Sequence, residues 1–353
     1  MEHKVRLGIT VGDLNGIGME VIIKTLMEPR ITNICTPIVY GSSRTASYHR
    51  KALGVNDWSF NIINDAEAAN PKRANLLNVW QEEVNIQLGV ADPEVGKYAL
   101  TSLEAAVADL KAGKIDALLT APINKDTIQS ESFKFPGHTE YLQQAFGTDD
   151  VLMFLVSDKL RVGVVTGHIP LKEVAKKLHT KDILSKIKHM HRSLQLDFGV
   201  SKPRIAVLSL NPHAGDNGLL GDEEKTIIQP AIEQAAAAGM QVYGPYGADG
   251  FFGSALFSKF DAVLGMYHDQ VLTPFKTLAF ENGVNFTAAL PIVRTSPDHG
   301  TGYDIAGKNE ADPASFRHAL YAAVDIFKQR SEQTALEAGA IKGGQVKLER
   351  ERN

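Results

Sequence analysis

Three histidines in this chain each follow a short apolar run within a few residues. Residues 161–166 lead to His168, residues 204–210 to His213 and residues 262–266 to His268. Each run is rich in Val, Ile, Leu or Ala and is bounded by Gly, Pro or a charge, which predicts a buried strand. In open α/β sheets, ligands sit beyond the carboxyl ends of the strands. Three neutral imidazoles there offer nitrogen ligands for one divalent metal. A single histidine at a strand end is ordinarily a hydrogen-bonded structural residue. Three in the same position on separate strands predict a shared site, and Asp269 is placed to orient a ligand. By contrast, His179, His189 and His191 lie in a Lys-rich helical stretch and are expected at the solvated surface. His3, His49 and His318 carry no context.

A second set is cationic and polar. Lys276, Asn285 and Arg294 follow His268, and residues 291–295 read as a strand with Arg294 at its end. Arginine offers a bidentate fork for phosphate or carboxylate, and lysine a point charge, so an anionic substrate is expected. Gly137-His138-Thr139, read as a loop after Phe135-Pro136, adds two further hydrogen-bonding groups. The turn Gly12-Asp13-Leu14-Asn15-Gly16-Ile17-Gly18 invites a nucleotide reading, but position 21 is Val and no P-loop Lys follows. A tight loop lining a cleft, with a helix amino end able to hold an anion, is the expectation. The segment His299-Gly300-Thr301-Gly302-Tyr303-Asp304 suits close approach to a ribose or adenine, a plain turn being the alternative.

The elements that must position these residues alternate along the chain. A strand over residues 6–11 precedes a helix beginning near Met19. Residues 94–112 form a helix with Leu100, Leu103, Val107 and Leu110 on one face, capped by Asp92-Pro93 and closed by Gly113. A strand over residues 115–120 follows. Residues 222–238 repeat the plan, with a strand over residues 240–243. Asp312-Pro313 starts a last helix with Phe316, Leu320, Val324 and Phe327 as its buried stripe. This grammar predicts an α/β protein with a largely parallel sheet. Residues 121–136 and 272–285 read as irregular crossings between two α/β/α domains. These are residues 1–125 plus 280–353, carrying the cofactor loop, and residues 126–279, carrying the metal histidines. Residues 344–353 are charged and expected to fray.

Composition bounds the rest. The chain has 353 residues, 44% of them hydrophobic and 22% charged, which suits two soluble domains. A formal net charge of −4 gives no footprint for nucleic acid. The lone Cys35 excludes an internal disulfide and a thiolate zinc cluster and reads as core filler. Neither a secretory signal nor a membrane-length apolar run is seen, so a cytoplasmic setting is expected.

Taken together, the segments resemble the 4-hydroxythreonine-4-phosphate dehydrogenase family of vitamin B6 biosynthesis over nearly the whole chain. The resemblance rests on Thr10-Val11-Gly12-Asp13, Thr120-Ala121-Pro122-Ile123-Asn124-Lys125 and Pro136-Gly137-His138-Thr139-Glu140. It continues through Thr166-Gly167-His168-Ile169-Pro170, Leu210-Asn211-Pro212-His213-Ala214-Gly215, Tyr267-His268-Asp269-Gln270, Asn285-Phe286-Thr287 and Arg294-Thr295-Ser296-Pro297-Asp298-His299-Gly300-Thr301. The last block is also similar to the adenosine-binding loop of isopropylmalate-type dehydrogenases, whose two-domain fold the family shares, with a cleft between domains.

The resemblance implies metal ligation by His168, His213 and His268, and substrate contacts by His138, Thr139, Lys276, Asn285 and Arg294. It implies cofactor contacts by His299, Gly300, Thr301 and Asp304. Lys276 and Asp249 stand as candidate catalytic residues, Lys276 as a base only if nearby positive charge depresses its pKa. NAD is the expected hydride acceptor, with NADP as the variant, and a divalent metal, zinc before magnesium or cobalt, the expected Lewis acid. A homodimer whose active sites take residues from both subunits is also implied. The expected reaction oxidises 4-phosphooxy-L-threonine to a 3-oxo acid that decarboxylates to 3-amino-2-oxopropyl phosphate. Alternatives are oxidation of threonate or erythronate 4-phosphate, a metal-dependent hydrolase, and a sugar-phosphate binding protein.

Overall fold

The structure is a computed structural model that describes residues 4–130 and 133–339, so the expectation for residues 344–353 lies outside the described residues. Among the described residues, twelve strands form one sheet: β1 (Val5–Thr10), β2 (Cys35–Gly41), β3 (Asn61–Ile63), β4 (Asn75–Asn78), β5 (Ala117–Thr120) and β6 (Leu152–Val156), then β7 (Arg161–Thr166), β8 (Arg204–Leu208), β9 (Gln241–Tyr246), β10 (Ala262–Tyr267), β11 (Val284–Ala288) and β12 (Arg294–Pro297). Their order is β3-β4-β2-β1-β5-β12-β11-β6-β7-β10-β8-β9.

The sheet is parallel at both ends and antiparallel in the middle. β3, β4, β2, β1, β5 and β12 run parallel with their neighbours, as do β7, β10, β8 and β9. β12–β11, β11–β6 and β6–β7 are antiparallel pairs. These three successive antiparallel pairs make the two parallel blocks run in opposite directions, with their carboxyl ends at opposite edges of the sheet and the bridge between them.

Local rules explain most elements. The helix Pro93–Lys111 starts where expected, with the Asp92 carboxylate accepting from Glu94 N–H at 2.9 Å. Its stripe of Leu100, Leu103, Val107 and Leu110 is buried, each such side chain contributing about 1.5–3 kcal/mol. In the last helix, Ala314–Gly339, Phe316, Leu320 and Val324 are buried and Phe327 packs partly against the same core. Cys35 opens β2 fully buried, where burial pushes its thiol up to about 12.

Several expectations need correction. Residues 272–285 are not an irregular crossing, because the helix His268–Ala279 runs through Pro274. Val271, Leu272, Phe275 and Ala279 are buried on one side, and that packing overrides the proline penalty. Residues 222–238 are not one regular helix: a π-helical turn, Glu224–Ile228, precedes the α-helix Gln229–Ala237. Arg294 begins β12 rather than ending a strand. His138 opens the helix His138–Phe146 rather than lying in a loop. His189 is half-buried against the Asp150 carboxylate at 3.1 Å, and His49 is a core residue, whereas His179 is exposed as expected.

Candidate active site

A cleft of about 890 Å³ opens at the antiparallel bridge. Its walls come from the ends of β5, β7, β11 and β12 and from the first turn of the helix His138–Phe146. Of the residues singled out from sequence, His138, Thr139, His168, Asn285, Arg294, His299 and Gly300 line it. The geometry thus joins residues from both parallel blocks around one space.

Arg294 is the electrostatic centre of that space. It is 4% exposed. Its Nε and Nη2 donate to Thr120 Oγ1 at 3.1 and 2.7 Å, and Nη1 to Thr287 Oγ1 at 3.3 Å. Nη2 also donates to His138 Nδ1 at 3.2 Å. Among the described residues no carboxylate pairs with the guanidinium, and burial lowers its pKa to about 10. A buried cation satisfied only by neutral groups is costly unless an anion completes it. His138 is held neutral, its pKa pushed well below the usual imidazole value by burial and then by Arg294 and Lys125. Because a guanidinium only donates, Nδ1 must accept, which leaves the ring proton on Nε2 as a donor.

The three expected metal ligands follow the carboxyl ends of three adjacent strands, β7, β10 and β8. The rings of His168 and His268 are 5.3 Å apart between centroids. His268 Nδ1 donates to the Asp269 carboxylate at 2.9 Å, which frees Nε2 for ligation. Burial, then Lys125 and His268, lower the pKa of His168 and favour the neutral donor form. His213 lies on the β8 end. Gly247 packs beside both it and Asp249: a Cβ there would sit 3.4 Å from Asp249 Oδ1 and 3.9 Å from His213 Cα. Among the described residues no group of three His, Cys, Asp or Glu side chains is arranged to hold a metal. Donor type and strand-end placement fit a divalent metal, with two imidazoles adjacent and the third on the neighbouring strand end.

Hydrogen bonds tie these strand ends together directly beneath the histidines. Thr166 Oγ1 donates to Met266 C=O at 2.6 Å. Met266 N–H donates to Gln270 Oε1 at 2.7 Å, and Gln270 Nε2 to Ser209 C=O at 2.6 Å. Beyond Ser209 the chain enters a left-handed turn in which His213, Ala214, Gly215, Asp216 and Asn217 have φ of 52, 52, 78, 42 and 59°. For a non-glycine residue that conformation costs about 1–2 kcal/mol, and strain of this kind collects at functional sites.

Lys276 stands behind the cleft rather than in its wall. Its ammonium meets the Asp298 carboxylate at 3.3 Å and the Asp298 carbonyl at 3.4 Å. Its charged neighbour is thus a carboxylate, not the positive charge that the base role required. Burial raises the Asp298 pKa, opposed by Lys276. His299 Nδ1 donates to Gly300 C=O at 3.0 Å, while its Nε2 is buried without a hydrogen-bond partner. The two glycine-rich segments of the sequence meet here. Thr301 C=O accepts from Ile17 N–H at 2.9 Å, and Tyr303 O–H donates to the buried Asp13 carboxylate at 2.7 Å. Asp304 is exposed in the same turn.

Sequence reasoning did not single out Thr120, Thr287, Lys125, Asp298 or Glu224. The hydroxyls carry no signal until folding sets them against Arg294. Thr120, Thr287, Lys125 and Asp298 all lay inside quoted motifs, and for Lys125 and Asp298 their charge was the available cue.

The sequence profile described as "Pyridoxal phosphate biosynthetic protein PdxA" matches residues 33–323. A 4-hydroxythreonine-4-phosphate dehydrogenase of Bacteroides thetaiotaomicron is 52% identical over 342 residues, covering 97% of this chain and 94% of the relative. A D-threonate 4-phosphate dehydrogenase of Cupriavidus necator is 40% identical, covering 92% of this chain and 98% of the relative. The crystal structure of 4-hydroxythreonine-4-phosphate dehydrogenase from Klebsiella pneumoniae superposes with a TM-score of 0.81 at 35% identity, covering 92% of this chain and 98% of that one.

Proposed function

The chain belongs to the pyridoxal phosphate biosynthetic protein PdxA family, and on that premise we propose that it oxidises 4-phosphooxy-L-threonine at the secondary alcohol. It is an oxidoreductase of vitamin B6 biosynthesis, and a dehydrogenase of this family implies a nicotinamide cofactor and a divalent metal. In our reading the cofactor is NAD and the metal zinc. The product, 2-amino-3-oxo-4-phosphooxybutanoate, then loses carbon dioxide to give 3-amino-2-oxopropyl phosphate. The assignment removes the grounds for the hydrolase and binding-protein alternatives.

The observation that carries the substrate class is Arg294. Its guanidinium is buried in the cleft with hydroxyl and imidazole partners only, so an anionic group of the substrate supplies the missing charge. His138 donates from Nε2, and Thr139 and Asn285 add hydrogen bonds along the same wall. Lys276, held by Asp298, adds positive charge behind the cleft. His168, His213 and His268 would hold the metal. Bound there, a divalent ion supplies a Lewis acid that lowers the pKa of the substrate hydroxyl. His299, whose Nε2 is buried without a partner, would with Gly300, Thr301 and Asp304 hold the adenosine part of the cofactor, Nε2 being free to accept a hydrogen bond. Asp249, beside His213, is our candidate for taking the hydroxyl proton.

We read residues 1–125 plus 280–353 as one domain and 126–279 as the other. A homodimer with shared active sites is part of the proposal. It is supported by Leu171 and Leu219, which are 72% and 79% exposed in the segments that follow His168 and the His213 turn. No helix among the described residues is long and apolar enough to cross a membrane, and a cytoplasmic setting fits the reading.

A second substrate is favoured by one observation, the D-threonate 4-phosphate dehydrogenase among the relatives. NADH formation measured with 4-phosphooxy-L-threonine and with D-threonate 4-phosphate separates the two. We expect kcat/KM at least about tenfold higher for the amino acid, or about 1.4 kcal/mol of discrimination. The reverse order would favour the sugar acid, and NADH from neither would overturn both.

A further inference from the structure

We propose that Glu224 is a positioning residue for the metal centre, acting through the turn that presents His213. This rests on the reading of His213 as a ligand. Glu224 is 3% exposed and opens the π-helical turn Glu224–Ile228. Such turns recur at functional sites because they redirect side chains that a regular helix would place elsewhere.

Here the redirected carboxylate lies under the left-handed turn. Oε1 accepts from Leu210 N–H at 2.9 Å and from Asn211 N–H at 2.7 Å. Oε2 accepts from Asn211 Nδ2 at 3.1 Å. Pro212 then begins the turn with no N–H of its own. The turn also closes over the same carboxylate, since a Cβ on Gly215 would lie 2.6 Å from Glu224 Oε2. One buried anion thus collects the donors at the base of a segment that an L-residue chain would not adopt unaided.

The neighbouring strand end is coupled to the same base. Ser209, which takes the Gln270 hydrogen bond, donates from Oγ to Asn211 C=O at 2.9 Å. Gln270 is two residues beyond His268. The placements of His213 and His268 therefore share a network in which Glu224 is the buried carboxylate, the less buried Glu223 sharing the Asn211 amide at 2.8 Å. Groups that orient metal ligands from behind typically change metal affinity by about 10–100-fold when removed.

The test is Co2+ binding to the full-length protein by titration calorimetry and by its visible absorption bands, with thermal melts as the fold control. Glu224→Ala should weaken binding by about 10–100-fold. Glu224→Gln keeps an acceptor for the two backbone N–H groups but loses the charge, and it should recover part of the loss and leave a several-fold weakening. In a His213→Ala background, Glu224→Ala should produce a much smaller further weakening, since the indirect coupling through Ser209 and Gln270 to His268 remains. Wild-type affinity in Glu224→Ala, or an equal loss in both backgrounds, overturns the proposal and leaves the ligand assignment standing. Wild-type affinity in His213→Ala removes the ligand assignment and this proposal with it. Should Glu224→Ala not fold, Glu224→Gln carries the same comparison: a several-fold loss that is much smaller in the His213→Ala background supports the role, and unchanged affinity overturns it.

Discussion

Arg294 and His138 form a unit whose chemistry neither has alone. The cation fixes the imidazole tautomer, the imidazole and two threonine hydroxyls solvate the cation, and the unsatisfied charge remains for a ligand. Phosphate should therefore raise the thermal midpoint of the wild type and leave that of Arg294→Met unmoved. In turnover, Arg294→Met should raise KM by the equivalent of about 2–5 kcal/mol. A phosphate response retained in the variant would place the anion elsewhere. His49 supplies a separate prediction about stability. Burial pushes it down to about 4, against about 6.5 in an unfolded chain. As pH falls the unfolded state takes the proton first. Stability is thus intact above about pH 6.5 and declines toward about pH 4, by about 3 kcal/mol in all. His49→Asn should be less stable at neutral pH, yet lose less between about pH 7 and pH 5 in urea titrations; parallel losses would contradict this. At this scale the histidines, Asn285 and Arg294 were legible because their types and strand-end positions carry chemistry. Thr120 and Thr287 were not, since a β-strand threonine has no distinguishing pattern until a distant guanidinium meets it.

Elements were legible where a local rule acts without competition. Asp92-Pro93 starts a helix and Gly113 closes the turn after it. Where tertiary packing overrides the rule, reading failed: Pro274 does not stop the helix His268–Ala279, and the π-helical turn at Glu224 leaves no composition signal. Two segments that looked like separate weak nucleotide motifs are one assembly. Asp13 accepts from Tyr303 O–H at 2.7 Å, from Thr127 Oγ1 at 3.3 Å and from Asn15 N–H at 2.9 Å, joining three loops. The Tyr303 bond to a carboxylate is of a class contributing about 1.5–3 kcal/mol. Tyr303→Phe should therefore bind NADH several-fold to about a hundredfold more weakly by fluorescence titration, while kcat at saturating cofactor changes little. Unchanged NADH affinity would detach this loop from the cofactor.

On the scale of the whole molecule, function follows from where the sheet changes direction. Two parallel blocks are joined by the antiparallel strands β12, β11, β6 and β7, so strand ends that carry Arg294, Asn285 and His168 face one crevice. Alternating strands and helices made the α/β class legible, but the reversal was not: β6–β7 and β11–β12 pair consecutive strands, whereas the β6–β11 pairing that joins them links segments far apart in the chain. The homodimer predicts a particle of twice the chain mass by light scattering; a stable monomer with full activity would exclude shared active sites.

The most direct measurement is NADH formation from 4-phosphooxy-L-threonine before and after chelation, with metal restored, in the wild type and in His268→Ala. Chelation should abolish wild-type turnover, a divalent metal should restore it, and His268→Ala should hold less metal and stay inactive at the concentration that restores the wild type. Turnover that survives a chelator which strips the metal, or a His268→Ala variant with full metal content and rate, would contradict a histidine-held metal as the centre of this chemistry.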